Sequence, residues 1–293
     1  MLQQTQVKTA TPYFKNFIKK YPTQKRLSEA SEDQILALWS GLGFYRRARN
    51  IFKTKEIIKE KYNNRFPKEF HQLLELPGIG KSTAGAIMSL AYQNPHPILD
   101  GNVKRVLTRL VNKNIDLLKE SQLWDLSSQF VNKENCFAYT QGIMDLGATV
   151  CTPTNPSCKD CPVQNQCMSA FNIINNKKRN VAQLKKVIPM NLSLIQTEDS
   201  LLLVKNEASS IWKNLWIPFE SRSLESYTNS FQLASSQKIQ HELTHRRLNI
   251  KLNTYISTNE SKIKTNKKYK WIKKDRINEY GLPKPISKVI NEL

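Results

Sequence analysis

The sequence predicts a mainly helical N-terminal domain followed by a smaller α+β domain. Up to about residue 168, apolar residues recur at helical spacing, as in SEDQILALW (31–39), where Ser31 and Gln34 have the spacing of a capping box. From about residue 188, short apolar runs flank turn residues, as in MNLSLIQTEDSLLLVKN, a pattern typical of a β-hairpin. A length of 293 residues is sufficient for two hydrophobic cores.

The order of segments predicts three parts. Residues 1–168 form the helical domain, and the polar, basic stretch around NIINNKKRNVAQLKKVIP predicts a linker over 169–187. Residues 188–293 form the second domain, which includes the strand-like RRLNIKLNTYIS and a closing helix in ISKVINEL.

The charge balance indicates a partner that carries negative charge. Lys and Arg number 45 and Asp and Glu 24, which gives a net charge of +21. A positive field attracts phosphate backbones, so nucleic acid is the expected partner, with an ordinary lysine-rich surface as the simpler alternative. No apolar run approaches the roughly 18 residues of a membrane span, so no membrane partner is expected.

The cysteines are clustered along the chain. Cys151, Cys158, Cys161 and Cys167 follow the spacing C-x6-C-x2-C-x5-C, and Cys136 stands apart. Without a signal-peptide pattern, a reducing cytoplasm is expected, where clustered thiols usually bind metal. A zinc site normally has two C-x2-C pairs, whereas this uneven spacing favours an iron–sulfur cluster. Zinc remains the alternative.

The LPGIG stretch (76–80) lies between two helical patterns and predicts a helix-hairpin-helix. Gly78 and Gly80 allow a tight turn whose amide groups point outward at the start of a helix, a site suited to phosphate. About twenty residues later, Asp100 precedes the helical NVKRVLTRL, where a carboxylate is stabilised by the helix N-terminus. An ordinary hairpin and a simple N-cap are the plainer interpretations of these two features.

Taken together, these motifs resemble those of a known family. MLQQTQV, LWSGLGFYRRARN, LPGIGKSTAGAI, ILDGNVKRV and MDLGATVC are similar to segments of the MutY family of helix-hairpin-helix base-excision DNA glycosylases with a [4Fe–4S] cluster. The resemblance is dense over residues 1–168 and looser beyond them. It implies an enzyme that flips adenine out of DNA, where it is mispaired with 8-oxoguanine or guanine, and hydrolyses its glycosidic bond.

The resemblance also implies roles for individual residues. Asp100 matches the carboxylate that stabilises the developing sugar cation, and Asn102 and Lys104 match positions close to the reacting nucleotide. Ser82 stands where the related glycosylase–lyases have the lysine that forms a Schiff base, so hydrolysis without efficient strand cleavage is expected. The neighbouring Lys81 is turned about 100° away along a helix, so it should not substitute.

Further matched positions imply contacts with DNA and with the cluster. Leu42 and Phe44 match residues that wedge into the duplex beside 8-oxoguanine. Gln4 and Thr5 match residues that hold the bases around the gap. The four clustered cysteines match the cluster ligands. A basic run, Arg46, Arg47 and Arg49, predicts a surface face with phosphate contact.

The second domain resembles the Nudix (MutT-like) domain with which this family verifies 8-oxoguanine. It contains no G-x5-E-x7-R-E-x2-E-E run, whose glutamates bind magnesium in Nudix hydrolases, so we expect recognition and not hydrolysis. In ELTHRR, Thr244 and His245 match the family's loop near the damaged base. As the simpler alternative, they are ordinary strand residues.

By the same resemblance, the glutamate that protonates adenine corresponds to a position two residues before Met1, and the first acidic residue here is Glu29. The expectation from sequence is therefore either a longer active protein or a chain with impaired excision. Two other readings stay open: a DNA-binding protein without catalysis, and an endonuclease III-like lyase. A monomer acting on the nucleoid is expected.

Overall fold

The computed structural model describes residues 1–172, 185–207, 211–224, 231–258 and 268–293. The chain forms two compact units. Met1–Asn64 and Val181–Leu293 make up one, here called the sheet unit, and Arg65–Asn180 make up the other, here called the hairpin unit. No helix among the described residues is long and apolar enough to cross a membrane.

The sheet unit begins with four helices: α1 (Val7–Lys20), α2 (Gln24–Ser28), α3 (Glu32–Leu38) and α4 (Arg46–Lys61). The predicted capping box of α3 is confirmed, because the Ser31 hydroxyl accepts from the Gln34 amide at 3.2 Å and the Gln34 side chain accepts from the Ser31 amide at 3.0 Å. This cap fixes where the chain enters the helix that buries Ile35 and Leu36.

The rest of the sheet unit contains a mixed sheet. Its described strands are β1 (Lys186–Gln196), β2 (Ser200–Lys205), β3 (Trp216–Ile217), β4 (Phe219–Glu220), β5 (Gln232–Glu242), β6 (Arg246–Ile256) and β7 (Tyr269–Lys273). The order is β3-β2-β1-β6-β5, with β4 on β1 and β7 on β2. The predicted hairpin of β1 and β2 is confirmed by antiparallel pairing, whereas β1 and β6 run parallel. The closing helix, α10 (Lys284–Ile290), is also confirmed.

One hydrophobic core joins the N-terminal helices to the sheet. Leu36 and Trp39 are fully buried and belong to the same cluster as Leu192, Leu215 and Ile250. Gly281 permits the close approach, because a β-carbon there would lie 2.5 Å from the Leu36 β-carbon. The predicted boundaries at 168 and 188 remain a prediction, and most of the predicted linker, residues 173–184, lies outside the described residues.

The hairpin unit is helical, as the sequence predicts, and residues 65–172 contain no strand. Its α-helices are α5 (Phe70–Leu74), α6 (Lys81–Ala91), α7 (Gly101–Leu110), α8 (Glu120–Phe130) and α9 (Cys136–Asp145). A π-helical turn, Leu146–Val150, continues α9 toward the cysteines. The unit's core forms where α7, α8 and α9 bury Val103, Leu107, Leu126 and Ile143.

Candidate active site and cluster loop

The predicted hairpin is present between α5 and α6. Gly78 has φ +85°, a backbone conformation that favours glycine, and the Ile79 amide closes the turn on the Leu76 carbonyl at 3.1 Å. Gly80 differs from expectation: its φ of −88° is open to any residue, and a β-carbon there would meet nothing within 4 Å. The turn itself therefore requires Gly78 and not Gly80.

Helix α6 packs closely on the segment that leads to Asp100. A β-carbon on Gly85 would lie 2.3 Å from the Pro97 carbonyl oxygen, so only glycine fits at that contact. Nearby, the Leu99 amide donates to the Ser82 hydroxyl at 2.9 Å. Ser82 therefore fixes the backbone immediately before Asp100.

Asp100 is the N-cap of α7, as the sequence predicts. Its Oδ1 accepts from the Val103 amide at 2.8 Å, and the residue is exposed to solvent. This N-cap hydrogen bond fixes the side chain at the first turn of α7. Asp100 thus presents a carboxylate in a fixed position that is open to solvent.

Arg105, one turn further along α7, connects this helix to the start of the cysteine loop. Its Nη2 donates to the Asn102 Oδ1 at 2.9 Å and to the Gly147 carbonyl at 2.6 Å, and its Nε donates to the Cys151 carbonyl at 2.8 Å. Burial lowers the pKa of the Arg105 guanidinium, and the nearby Asp100 raises it. Asn102 is therefore oriented by a cation and does not point freely toward solvent.

Arg109 holds the same loop one helical turn later. Its Nη1 donates to the Thr152 carbonyl at 2.7 Å and contacts the Cys151 Sγ at 3.4 Å, and its Nη2 donates to the Pro153 carbonyl at 2.9 Å. One guanidinium therefore contacts the Cys151 sulfur and the two backbone carbonyls that follow it. The loop that carries the first cysteine is thereby fastened to the helix that begins with Asp100.

All four predicted cysteine ligands line one cavity together with Arg109. Burial raises the pKa of the Cys167 thiol, and the neighbouring thiols of Cys151, Cys161 and Cys158 raise it further. Among the described residues, no group of three or more His, Cys, Asp and Glu side chains has the geometry to hold a metal ion. The four cysteines nevertheless share one cavity.

The two lysines near the site have separate surroundings. The Lys81 ammonium lies 4.1 Å from the centre of the Trp124 ring, so it makes a cation–π contact with α8. Lys104 is half-buried on the first turns of α7, one turn after Asp100. These positions agree with the expectation that Lys81 does not take the place of Ser82.

Gly147 makes the close contact between the π-helical turn and Asn102 possible. A β-carbon there would lie 2.7 Å from the Asn102 β-carbon, so Gly147→Ala is expected to displace Asn102 and destabilise the protein by about 1–3 kcal/mol. The matched control is Gly142→Ala in α9, where nothing lies within 4 Å and stability should rise by about 0.5–1 kcal/mol. Chemical denaturation measures both; equal stability of the two variants would contradict the expected clash.

The sheet unit carries the other predicted DNA contacts in two adjoining segments. Residues 2–5 form a turn in which the Thr5 amide donates to the Leu2 carbonyl at 3.1 Å and the exposed Gln4 has φ +59°. In the loop before α4, Phe44 is 45% exposed and has φ +50°. Leu42, in contrast, is 6% exposed and packs in the core, so a wedge role for it would need the loop to open.

Two of the three arginines predicted to form a basic face are turned inward. Arg46 is exposed, but Arg47 is half-buried against Gly43 and the first residues, and Arg49 donates to the Lys213 carbonyl at 3.0 Å. Burial is the main cause that lowers the pKa of both inward guanidinium groups. The predicted phosphate contact of this basic run is therefore best supported for Arg46, since the guanidinium groups of Arg47 and Arg49 bind backbone carbonyls.

Thr244 and His245 lie at the exposed turn between β5 and β6 and not within a strand. The Leu243 amide donates to the Arg246 carbonyl at 2.8 Å and closes that turn. Beside it, the Glu242 carboxylate pairs with Arg247 and with Lys185, the latter at 2.8 Å, and these hydrogen bonds lower its pKa. The turn is thus stabilised by its own backbone hydrogen bond and by the ion pairs of Glu242.

The sequence patterns did not identify Arg105 and Arg109 as residues that hold the cysteine loop, or Arg47 as a side chain that points inward. A signal was present for the first two, since they are four residues apart and share one face of α7. No comparable pattern marks Arg47, because its partners include backbone carbonyls distant in sequence.

Family models match both parts of the chain. Residues 1–123 match the HhH-GPD superfamily base excision DNA repair protein, and residues 191–292 match the NUDIX domain. A thermostable thymine-DNA glycosylase is structurally similar, with a TM-score of 0.53 and 25% identity over 59% of this chain and 81% of that chain. A trapped endonuclease III–DNA covalent intermediate is similar at a TM-score of 0.51 and 25% identity, covering 57% and 79%. The fold is therefore that of a helix-hairpin-helix DNA glycosylase with a Nudix-like domain.

Relatives with an assigned activity show which DNA glycosylases this chain is similar to. Adenine DNA glycosylase of Buchnera aphidicola subsp. Schizaphis graminum is 38% identical over 309 residues, covering 99% of this chain and 88% of that protein. The human adenine DNA glycosylase is 40% identical over 171 residues, covering 57% of this chain and 31% of its own length. The chain belongs to the adenine DNA glycosylases, DNA-binding hydrolases of base-excision repair that remove adenine.

Proposed function

We propose that this protein excises adenine mispaired with 8-oxoguanine or guanine, and that Asp100 provides the negative charge that stabilises the sugar cation. The observation that carries this proposal is the fixed, exposed carboxylate at the start of α7, held through Val103 and through the Ser82–Leu99 hydrogen bond. Adenine must leave the base stack to be reached. As the glycosidic bond breaks, positive charge grows on the sugar, and a preorganised carboxylate lowers the energy of that state.

Ser82 and Lys81 support a reaction without strand cleavage. A lyase needs a lysine amine at the sugar to form a Schiff base. Here Ser82 binds the Leu99 amide, and the Lys81 ammonium lies over Trp124. Water is therefore the proposed nucleophile. Asn102, oriented by Arg105, lies two residues after Asp100 in the first turn of α7, where we propose that it binds the reacting nucleotide.

The family commonly holds a [4Fe–4S] cluster, and we propose that Cys151, Cys158, Cys161 and Cys167 bind one here. The four thiols line a shared cavity. Their uneven C-x6-C-x2-C-x5-C spacing favours a cluster over zinc, because a zinc site normally has two C-x2-C pairs. When bound, the cluster would supply structural order to the loop, and Arg109 would hold the Cys151 side chain in place through its contact with the sulfur.

We propose that each of the two units contacts DNA through several of the predicted residues. The hairpin at Gly78 and Gly80 offers amides at the start of α6, and the open space beside Gly80 leaves room for a phosphate. Lys104 lies near the site on α7. In the sheet unit, Phe44 is presented to stack beside 8-oxoguanine, with Gln4 and Thr5 holding neighbouring bases.

We further propose that the sheet recognises 8-oxoguanine through Thr244 and His245 in the exposed β5–β6 turn. The missing magnesium-binding glutamate run supports recognition without Nudix hydrolysis. We propose that the protein acts as a monomer on the nucleoid in the cytoplasm. The charge of +21 supports a location on DNA.

An oligonucleotide assay tests the proposed substrate. The purified protein is incubated with duplexes that hold A opposite 8-oxoguanine, G or T, and the products are then treated with hot alkali, which cleaves abasic sites. Strand breaks after alkali are expected for A opposite 8-oxoguanine and G, and not for A opposite T. Binding of the mispaired duplexes without any alkali-labile product would instead indicate a DNA-binding protein without catalysis.

A further inference from the structure

The guanidinium group of Arg47 lies between the two segments of the sheet unit that we assign to the bases around the lesion. Its Nη1 donates to the Met1 carbonyl and, at 2.7 Å, to the Gln3 carbonyl. Its Nη2 donates to the Gly43 carbonyl at 3.1 Å. One side chain therefore ties residues 1–3 to the loop that presents Phe44.

Two aromatic rings also contact the same group. The guanidinium carbon lies 5.2 Å from the centre of the Phe44 ring and 5.4 Å from that of Trp39. Trp39 is fully buried, and its indole nitrogen donates to the Gly43 carbonyl at 3.0 Å. The buried Trp39 is thus fixed by the core, and Arg47 contacts both Trp39 and the exposed ring of Phe44.

The backbone on both sides of these contacts is unusual. Phe44 has φ +50° and Gln4 has φ +59°, and such conformations are costly for residues other than glycine unless their surroundings stabilise them. Arg47 bonds to the neighbour of each, Gly43 and Gln3. The hydrogen bonds of Arg47 therefore stabilise the backbone directly beside Phe44 and Gln4, the two residues with costly conformations.

We propose that Arg47 is a positioning residue for lesion recognition, which holds the Phe44 ring and the turn at Gln4 and Thr5 in the arrangement that meets the DNA. This inference rests on the proposed function, because it assumes that Phe44 stacks beside 8-oxoguanine. Arg47 is consequently not a phosphate contact. Its planar fork matches three carbonyls and two rings at once, a set of contacts that a lysine ammonium cannot reproduce.

The test measures lesion preference in the full chain. Fluorescence anisotropy gives the affinity for a duplex with 8-oxoguanine opposite a cleavage-resistant 2′-fluoro-adenosine and for a matched undamaged duplex. A 2-aminopurine beside 8-oxoguanine reports stacking of the inserted ring. The variants are Arg47→Met, Arg47→Lys, Phe44→Ala and the double variant Arg47→Met with Phe44→Ala, and thermal unfolding identifies any variant that fails to fold.

Arg47→Met and Arg47→Lys are both expected to lose about tenfold in lesion preference, as when a stacking ring is lost, and to change the 2-aminopurine signal. The double variant should be no worse than Phe44→Ala, because Arg47 acts through that ring. The matched control, Arg46→Met, removes the same charge from an exposed side chain and should weaken binding to both duplexes alike.

The outcomes separate this proposal from the proposed function. If the wild-type chain shows no lesion preference, or if Phe44→Ala retains the full wild-type preference, the proposed role of the Phe44 wedge fails, and the role of Arg47 with it. If Phe44→Ala behaves as expected while Arg47→Met resembles Arg46→Met, or Arg47→Lys retains full preference, the positioning role alone is overturned. Additive losses in the double variant would overturn it as well.

Discussion

Asp100→Asn is expected to slow adenine excision by on the order of 10³-fold or more, because it removes the charge that stabilises the sugar cation. Asparagine is as good an N-cap as aspartate, so its Oδ1 can still accept from the Val103 amide at the start of α7. The substitution therefore separates the charge of Asp100 from its structural role. DNA binding should be unchanged or stronger, since a negative charge near the phosphates is removed.

Single-turnover excision and duplex affinity, measured on the same preparation, check this prediction. Asp125→Asn is the matched control, because it makes the same change on an exposed residue of α8 in the same unit. It should excise adenine at the wild-type rate. Excision by Asp100→Asn at a rate similar to that of the control would show that the carboxylate of Asp100 is not required.

Cys158→Ala is expected to remove most of the visible absorbance of the purified protein and to lower its stability by on the order of several kcal/mol, because cluster binding is part of the folding energy of the loop. Cys158 lies in the middle of the cysteine loop and lines the cavity shared by all four thiols. Arg105 and Arg109 tie that loop to α7, so disorder there should also reduce excision.

Absorbance spectra, iron content and thermal unfolding measure this effect. The control is Cys136→Ala, which removes a buried thiol in α9 that lies outside the cavity and donates to the Ser89 carbonyl at 3.6 Å. That variant should keep its colour and iron. A colourless wild-type protein that contains zinc would contradict the cluster, and full iron content in Cys158→Ala would contradict its role as a ligand.

Local patterns predicted much of the fold. The capping box at Ser31, the hairpin of β1 and β2 and the N-cap at Asp100 are all formed by residues close in sequence, so spacing alone was sufficient to locate them. The parallel pairing of β1 with β6 could not be predicted in this way, because it joins segments about sixty residues apart.

The same distinction applies to the site. The residue types at Asp100 and the cysteines carry recognisable chemistry, and the resemblance of their motifs to a known family predicted the roles that we propose for them. Arg105 and Arg47 bind backbone carbonyls of other segments. Every residue has such a carbonyl, so the sequence does not indicate which of them a side chain will bind. The burial of Leu42 could not be predicted from the sequence either, because its partners in the core belong to distant parts of the chain.

The central claim is that the chain releases adenine by hydrolysis and leaves the sugar–phosphate strand intact. Mass spectrometry of the products from an A:8-oxoguanine duplex, without alkali and with borohydride present, tests it most directly. We expect free adenine in equal amount to an unbroken abasic strand, with no protein–DNA adduct, because Ser82 replaces the Schiff-base lysine and Lys81 contacts Trp124. A trapped covalent adduct, a strand broken before alkali, or the absence of free adenine would contradict the account.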